Sequence, residues 1–334
     1  MSALRWLSLM GLLVAGWQYP VSGFGQGAGL GSLEELTALL QRIDPYRPSH
    51  AAAGTVHVFG STSMDAMAHG WANGFRQFHP QAQVIINGRG AEATLDVLKK
   101  QPTAVGMISR PVTEEELAEL RQAGWKNPTA FVVAREALGV FVHASNPVAS
   151  ISGEQLRAVF TMDGPKEGLT WSIMGASGPW ADRPIHVISR VENSGTQQFL
   201  ADFVFQSSEL RPGMSAHVSN AEVLEVVAKD PLAIAICGVR SQGKGVKRLQ
   251  LVAGGRVVPS DDHAILTGQY PLTRPLTLVI DLGQQGPDAL AAREFVKYAL
   301  GQSGQAEAVL VGFFPVDLPL LRAEMQKLGA PSLH

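Results

Sequence analysis

Short apolar stretches of strand length recur along this chain, each ending in a glycine- or hydroxyl-rich turn that opens a helical stretch. That alternation constrains the fold more than any other feature. Thr55 to Phe59 (TVHVF) alternates as a strand does. It stops at Gly60 and runs through Ser61-Thr62-Ser63 into Met64 to Phe78, where Met64, Met67, Ala68, Trp71 and Phe75 mark one helical side. Gln83 to Ile86 leads into Asn87-Gly88-Arg89-Gly90, and Thr94 to Lys100 reads as a helix. Ala104 to Ile108 ends in Ser109-Arg110-Pro111, after which Thr113 opens a helix rich in early acids that stops at Gly124. Strand–turn–helix units of this kind predict an α/β architecture with a largely parallel sheet.

The second half repeats the scheme. Ala137 to His143 is an apolar strand, and Ser152 caps a short helix. Ile185 to Ser189 ends at Arg190, and Asn193-Ser194-Gly195-Thr196 turns into QQFLADFVFQ. Asn220 caps AEVLEVVAKD, and Leu232 to Cys237 is a buried strand. Strands at Arg248 to Val252 and Leu276 to Ile280, then two closing helices (Ala289 to Leu300, Gly304 to Val311), complete the chain. At 334 residues the chain holds about two domains of roughly 150 residues.

The N-terminal residues follow another rule. Arg5 is the only charge before Glu34, and Trp6 to Trp17 is an apolar run too short to span a bilayer, which needs about 20 residues. A basic start, a short apolar middle and small residues such as Val21 and Gly23 describe a secretory signal peptide over residues 1–23. No cysteine follows the run, so no lipoprotein anchor is expected. The mature protein is expected in the periplasm, with no membrane span once the signal is cut. A lone Cys237 suits an oxidising compartment and excludes both an internal disulfide and a cysteine-built zinc cluster. Residues 24–53 read as an arm, with Ser32 capping a helix through Glu35 and Leu33, Leu36, Leu39, Leu40 and Ile43 on one face, closed by Pro45 and Pro48.

Charge and motif exclude several functions. With 27 Lys+Arg against 29 Asp+Glu the net charge is −2, so no nucleic-acid partner is expected. The chain has no H-E-x-x-H, no G-x-x-x-x-G-K-[ST] and no G-x-S-x-G, so neither an enzyme nor a cofactor or metal is expected. Three strand ends instead deliver hydroxyls or glycines to helix starts: Ser61-Thr62-Ser63, Gly88-Arg89-Gly90 and Ser194-Gly195-Thr196. Ligands of open α/β sheets bind beyond the C-terminal strand ends. Helix N-termini there offer unpaired N–H groups and a partial positive charge, which favour an anion. Arg110 and Arg190 stand beside two of these turns and could add bidentate forks. A small oxyanion pocket is the expectation. Capping alone explains any single turn.

The order of these turns resembles the phosphate-type periplasmic solute-binding proteins of ABC importers, over roughly residues 54–316. The resemblance rests on Gly60-Ser61-Thr62-Ser63, Gly106-Met107-Ile108-Ser109-Arg110 and Ser189-Arg190-Val191-Glu192-Asn193-Ser194-Gly195-Thr196. It rests also on Asp230-Pro231-Leu232-Ala233-Ile234, Tyr270-Pro271-Leu272-Thr273-Arg274-Pro275-Leu276, and Gly304-Gln305 with Gly312-Phe313-Phe314-Pro315. It implies a two-lobe, type II periplasmic-binding-protein fold, each lobe a mainly parallel sheet flanked by helices, with the ligand cleft between lobes. The limits expected are residues 54–140 plus 246–334 for lobe 1 and 141–245 for lobe 2. It implies ligand contacts from Ser61, Thr62, Ser63, Ser109, Arg110, Arg190, Ser194, Gly195 and Thr196. The ligand would be inorganic phosphate or a similar oxyanion, the partner an ABC permease or a periplasmic sensor, and the protein a monomer.

Three departures stand out: Ala91 for a serine, Glu92 for a following glycine, and Asn193 for the glycine before Ser194. Where the family has a glycine–serine run, this chain has Gly88-Arg89-Gly90-Ala91-Glu92-Ala93-Thr94, so a serine donor is missing at Ala91. Glu92 could accept the proton of a monohydrogen anion, or pair with Arg89 or Arg110, or face solvent. The alternative function is a ligand sensor or interaction protein on the same fold, with an altered or lost phosphate site. The Gly164 to Trp180 stretch, with Trp171 and Trp180, would serve there as a partner surface or pack as a long loop.

Overall fold

The computed structural model describes residues 30–88, 91–191, 194–205 and 208–329, without the side chains of residues 30–34, 91–93, 195, 198, 202 and 203. Its strands are β1 (Thr55–Gly60), β2 (Gln83–Gly88), β3 (Val105–Ile108), β4 (Pro128–His143), β5 (Ser150–Ser152) and β6 (His186–Arg190). They continue with β7 (Ser215–His217), β8 (Ala233–Gly238), β9 (Val246–Arg248), β10 (Gln250–Ala253), β11 (Arg256–Val257) and β12 (Thr273–Asp281). The main sheet runs in the order β2-β1-β3-β12-β4-β8-β6-β7, with β9 also on β4, and β11-β10-β5 forms a small second sheet.

Strand β4 belongs to both halves. Pro128 to Ala137 pair with β12, and Leu138 to Val142 pair with β8. Strands β1, β2 and β3 are parallel, in a register that sets Gly60 beside Gly88 and beside Met107. Their C-terminal ends therefore share one edge. Strands β6 and β8 are also parallel, so the turn after Arg190 leaves an edge of the second half in the same way.

Each half buries both sheet faces, as near-continuous apolar strands require. Val56, Val58, Val105, Met107, Leu276, Leu278 and Ile280 pack under helices Asp65–Phe78, Pro287–Leu300, Gln302–Leu310 and Leu318–Lys327. The alternate residues Phe59, Ile108 and Val279 face Leu98, Leu117, Leu120 and Trp125. In the second half Leu138, Val140, Val142, Ile234 and Ile236 meet Leu156, Phe160, Trp171 and Phe199, while Phe141, Ile188, Ala235 and Cys237 meet helix Asn220–Lys229. Burial pushes the Cys237 thiol up to about 12, so it serves as a packed core residue.

Several expectations change. Helix Leu30–Gln41 starts two residues before Ser32, so Ser32 lies in its first turn. Ser219, not Asn220, caps the helix at 220–229, taking the Glu222 N–H at 3.1 Å, because the Asn220 amide is held by Arg190. A third closing helix, Leu318–Lys327, is capped by Asp317. Leu249, Leu251, Ile265, Tyr270 and Leu272 lie in the second core, although the sequence reading grouped residues 246–334 with the first lobe. Strand pairing explains it: β9 joins β4 at Phe141–His143, and β10 joins β5. Trp171 is fully buried with Trp180 edge-on at 6.4 Å, so this pair packs the loop it sits in. The signal segment expected at 1–23 lies outside the described residues.

Candidate functional site

Strand β1 ends at Gly60, whose φ of 148° lies where L side chains are strained. That conformation lets the Ser61 N–H donate to the Met107 carbonyl at 2.9 Å, extending the β1–β3 pairing by one residue. A 3-10 turn, Thr62–Met64, follows. Ser61 is thereby aimed at the end of β3, where its hydroxyl donates to Ser109 Oγ at 3.0 Å. Ser63 Oγ lies 2.8 Å from Ser61 Oγ on the other side. Each hydroxyl has one proton to give. With Ser61 donating to Ser109, Ser63 supplies Ser61, and the Ser109 proton is left for a further acceptor. Ser61 and Ser109 are buried, Ser63 is half-buried, and Thr62 is exposed.

Across from this trio stands the turn after β6. Ser194 caps helix Gly195–Phe199, its Oγ accepting from the Gln197 N–H at 3.2 Å. The Gln197 side chain reaches back to Ser189 Oγ (2.6 Å) and the Arg190 carbonyl (3.1 Å), fixing the turn on its strand. Ser194 and Thr196 are both buried. The helix continues into a π turn at Leu200–Val204, a local geometry common at functional sites. Helix Gly195–Phe199 lies against the 62–64 turn, with Cα atoms of the two within 8 Å. Two strand-end turns, one from each half of the main sheet, thus lie close to each other. The arrangement can offer hydrogen bonds and a helix terminus to a small anion.

Both arginines expected there are anchored by the protein itself. Arg110 grips Glu116 through Nη1 (2.9 Å) and Nη2 (2.5 Å), and Nη1 also meets the Pro111 carbonyl. Burial works to raise the Glu116 carboxyl, but the Arg110 bonds and the Thr113 N–H outweigh it and hold the group below the usual range. Arg190 donates to the carbonyls of His217 (3.3 Å) and Val218 (2.8 Å) and to Asn220 Oδ1 (2.8 Å). The Glu92 side chain, Arg89 and Gly90 lie outside the described residues. A described carboxylate at that loop is Asp65. Its oxygens lie 2.4 and 2.7 Å from where a Cβ on Gly88 would stand, and Oδ1 is buried with no hydrogen-bond partner.

Sequence reasoning missed Glu136 and Arg274. Arg274 Nε (2.8 Å) and Nη2 (2.5 Å) both end on Glu136 Oε2, and both side chains are buried. In the sequence Glu136 stands only as a charge inside an apolar strand stretch, and Arg274 only as part of the Tyr270–Leu276 run, not as a site residue.

A profile of the PBP superfamily domain matches residues 46–303. The phosphate-binding protein PstS of Pseudomonas aeruginosa is 26% identical over 309 residues, covering 90% of this chain and 95% of that one. The crystal structure of a possible phosphate binding protein from Planctomyces limnophilus superimposes with a TM-score of 0.70 at 21% identity, covering 84% of this chain and 99% of the other. An ABC-type phosphate transport receptor from Vibrio cholerae gives 0.64 at 23% identity, covering 78% and 99%. At these identities the two structures speak for the fold alone, the two-lobe architecture of periplasmic binding proteins.

Proposed function

The chain belongs to the phosphate-binding-protein-like family of the PBP superfamily, and on that premise we propose that it is an exported solute-binding protein. It captures a small oxyanion between its lobes, inorganic phosphate first, and hands it to an ABC permease. The observation that carries the reading is the Ser63–Ser61–Ser109 hydroxyl chain on a turn that packs against helix Gly195–Phe199. Relatives named for phosphate binding and phosphate transport add support.

In this reading Ser61, Ser63, Ser109, Ser194 and Thr196 give hydroxyls, and Gly195 gives its N–H, with Thr62 at the rim. Arg110 and Arg190 supply positive field from their anchored positions, and Glu92 is the proton acceptor for a monohydrogen anion. Such donors act best in a closed, water-poor cleft, where each bond is stronger than in water. Lobe closure on the ligand follows the hinge mode of two-lobe receptors. No helix among the described residues is long and apolar enough to cross a membrane. In this reading residues 1–23 are a cleaved signal, and the mature protein works in the periplasm as a monomer, without catalysis.

A second reading has one specific support. Both arginines are engaged by protein partners, and Ala91 and Glu92 stand where a serine and a glycine are expected. A sensor or interaction protein with an altered site would look like this. Calorimetric titration with inorganic phosphate, sulfate and a phosphomonoester at two pH values separates the readings. Phosphate binding without sulfate binding supports solute capture. No heat with any of the three overturns it and favours the second reading. Glu92→Gln with unchanged affinity and pH dependence removes the proton-acceptor role.

A further inference from the structure

Glu136 and Arg274 stand directly opposite each other on β4 and β12. Two residues later, at Leu138, β4 leaves β12 and begins pairing with β8. The pair thus sits at the pivot between the halves. Arg274 is 2% exposed and Glu136 8%. A buried ion pair is weak evidence for stability, since desolvation offsets its attraction. Its geometry is more informative. Two of the three guanidinium nitrogens, Nε and Nη2, end on a single oxygen, Glu136 Oε2, which fixes the orientation of the guanidinium plane. Arg274 Cζ then lies 5.0 Å from the centre of the Phe199 ring.

Phe199 belongs to the other half. It closes the helical turn that begins at Ser194, immediately before the π turn at Leu200–Val204. Glu136 also acts electrostatically on Arg190, at the end of the strand that feeds this turn. A charge rooted in the hinge strands of the first half therefore holds the face of a ring on the anion-facing helix of the second.

We propose that Arg274 is a positioning residue for the oxyanion turn of the second lobe. Glu136 holds the guanidinium plane, the plane holds Phe199, and the Ser194–Thr196 turn is thereby set at a fixed distance from Ser61 and Ser109. Lysine cannot replace it, because an ammonium presents a point charge and no plane. The role in binding rests on the oxyanion reading above, while the contact across the hinge does not.

The test uses Arg274→Lys, Phe199→Leu, their double variant and Phe199→Tyr in the full chain. Two quantities are measured: the Kd for inorganic phosphate by calorimetry, and amide hydrogen exchange of residues 195–204 without any anion. Arg274→Lys and Phe199→Leu are each expected to raise Kd about tenfold and to speed exchange in that segment. The double variant should be no worse than the worse single, since both remove one contact, and Phe199→Tyr should stay within about twofold of wild type. Unchanged exchange and unchanged Kd in Arg274→Lys overturn the proposal, as do single effects that multiply in the double. Should Arg274→Lys fail to fold, Phe199→Leu against Phe199→Tyr decides by the same two readouts. Wild-type protein that binds no phosphate overturns the oxyanion reading instead, and exchange alone then decides the contact across the hinge.

Discussion

The phenolic oxygen of Tyr46 donates a hydrogen bond to Oε2 of Glu294 at 2.6 Å, across 248 residues of sequence. The same oxygen meets His79 Nε2 at 2.7 Å. Oε1 of Glu294 accepts the N–H groups of Ser49 and His50, and the Ala52 N–H donates to His79 Nδ1, each at 3.1 Å. A backbone N–H can only donate, so Nδ1 carries a lone pair and neutral His79 holds its proton on Nε2, donating to Tyr46. Tyr46, Ala52, His79 and Glu294 are all buried. Burial, then the bond and charge of Glu294, push the Tyr46 hydroxyl up, so it stays a donor. This network fastens the segment between the N-terminal helix and β1 to the body.

Acid should loosen that segment. Protonating His79 puts a proton on Nδ1, where the Ala52 N–H already points. Burial holds His79 below its usual 6.5, with Glu294 opposing. The unfolded chain then takes up the proton at higher pH than the folded one. The contribution is fully present above 6.5 and is lost as pH falls through the lower folded value. The thermal midpoint of wild type should drop below that pH more steeply than that of His79→Gln. Parallel pH profiles for the two proteins would show that His79 does not titrate in this way.

Gly60→Ala should cost both stability and binding. A Cβ there would lie 2.0 Å from the Met107 carbonyl oxygen, at a φ of 148°. Backbone strain of about 1–3 kcal/mol adds to a clash of similar size. The Ser61 N–H would lose its 2.9 Å bond to Met107, and the Ser61 hydroxyl its aim at Ser109. Urea unfolding should show a loss of about 3 kcal/mol or more, and phosphate titration should show little heat. A variant within 1 kcal/mol of wild type that binds normally would mean that the turn tolerates a different path.

Residues near one another in sequence carried most of the fold. The apolar run of β1 and its Gly60 stop, and the Thr113 and Ser152 caps, are local signals, and the elements form where they indicate. The turns that meet at Ser61 and Ser109 were legible for the same reason, since the parallel strands β1 and β3 deliver their ends to one edge. Long-range satisfaction was not legible. Strand β4 begins at Pro128, but the sequence marks it only from Ala137, because Arg135 and Glu136 interrupt the apolar pattern. Their partners, Asp317 and Arg274, lie far along the chain. Asn220 and Ser219 are both good caps, and only the Arg190 guanidinium, 30 residues away, decides between them. His79 looked like a helix end because Tyr46 and Glu294 cannot be seen from its neighbours.

Asp65→Asn should stabilise the protein at neutral pH. Burial raises the Asp65 carboxyl above its usual 3.8, with His69 opposing. The folded state therefore binds the proton more tightly than the unfolded one, and stability falls as pH rises from 3.8 through the folded value. An amide removes the buried charge and can pack against Gly88 in the same shape. The thermal midpoint at pH 7 should rise by about 2–4 °C, and the gain should vanish at pH 3. A lower midpoint at pH 7 would mean that the carboxylate has an ionic partner in solution.

Ser61→Ala and Ser109→Ala address the site itself. Each hydroxyl sits in a single donor chain running from Ser63 through Ser61 to Ser109. Removing Ser109 deletes the last donor, and an anion oxygen left unpaired there costs about 1–3 kcal/mol, or roughly 5- to 150-fold in Kd. Removing Ser61 leaves Ser109 in place but takes away the neighbour that orients its proton, so the loss should be smaller. Because both act through one chain, the double variant should lose less than the product of the singles. Phosphate calorimetry on the three proteins measures this directly. Independent losses that multiply would place the two hydroxyls on separate ligand oxygens, and an unaffected Kd in Ser109→Ala would remove that serine from the site.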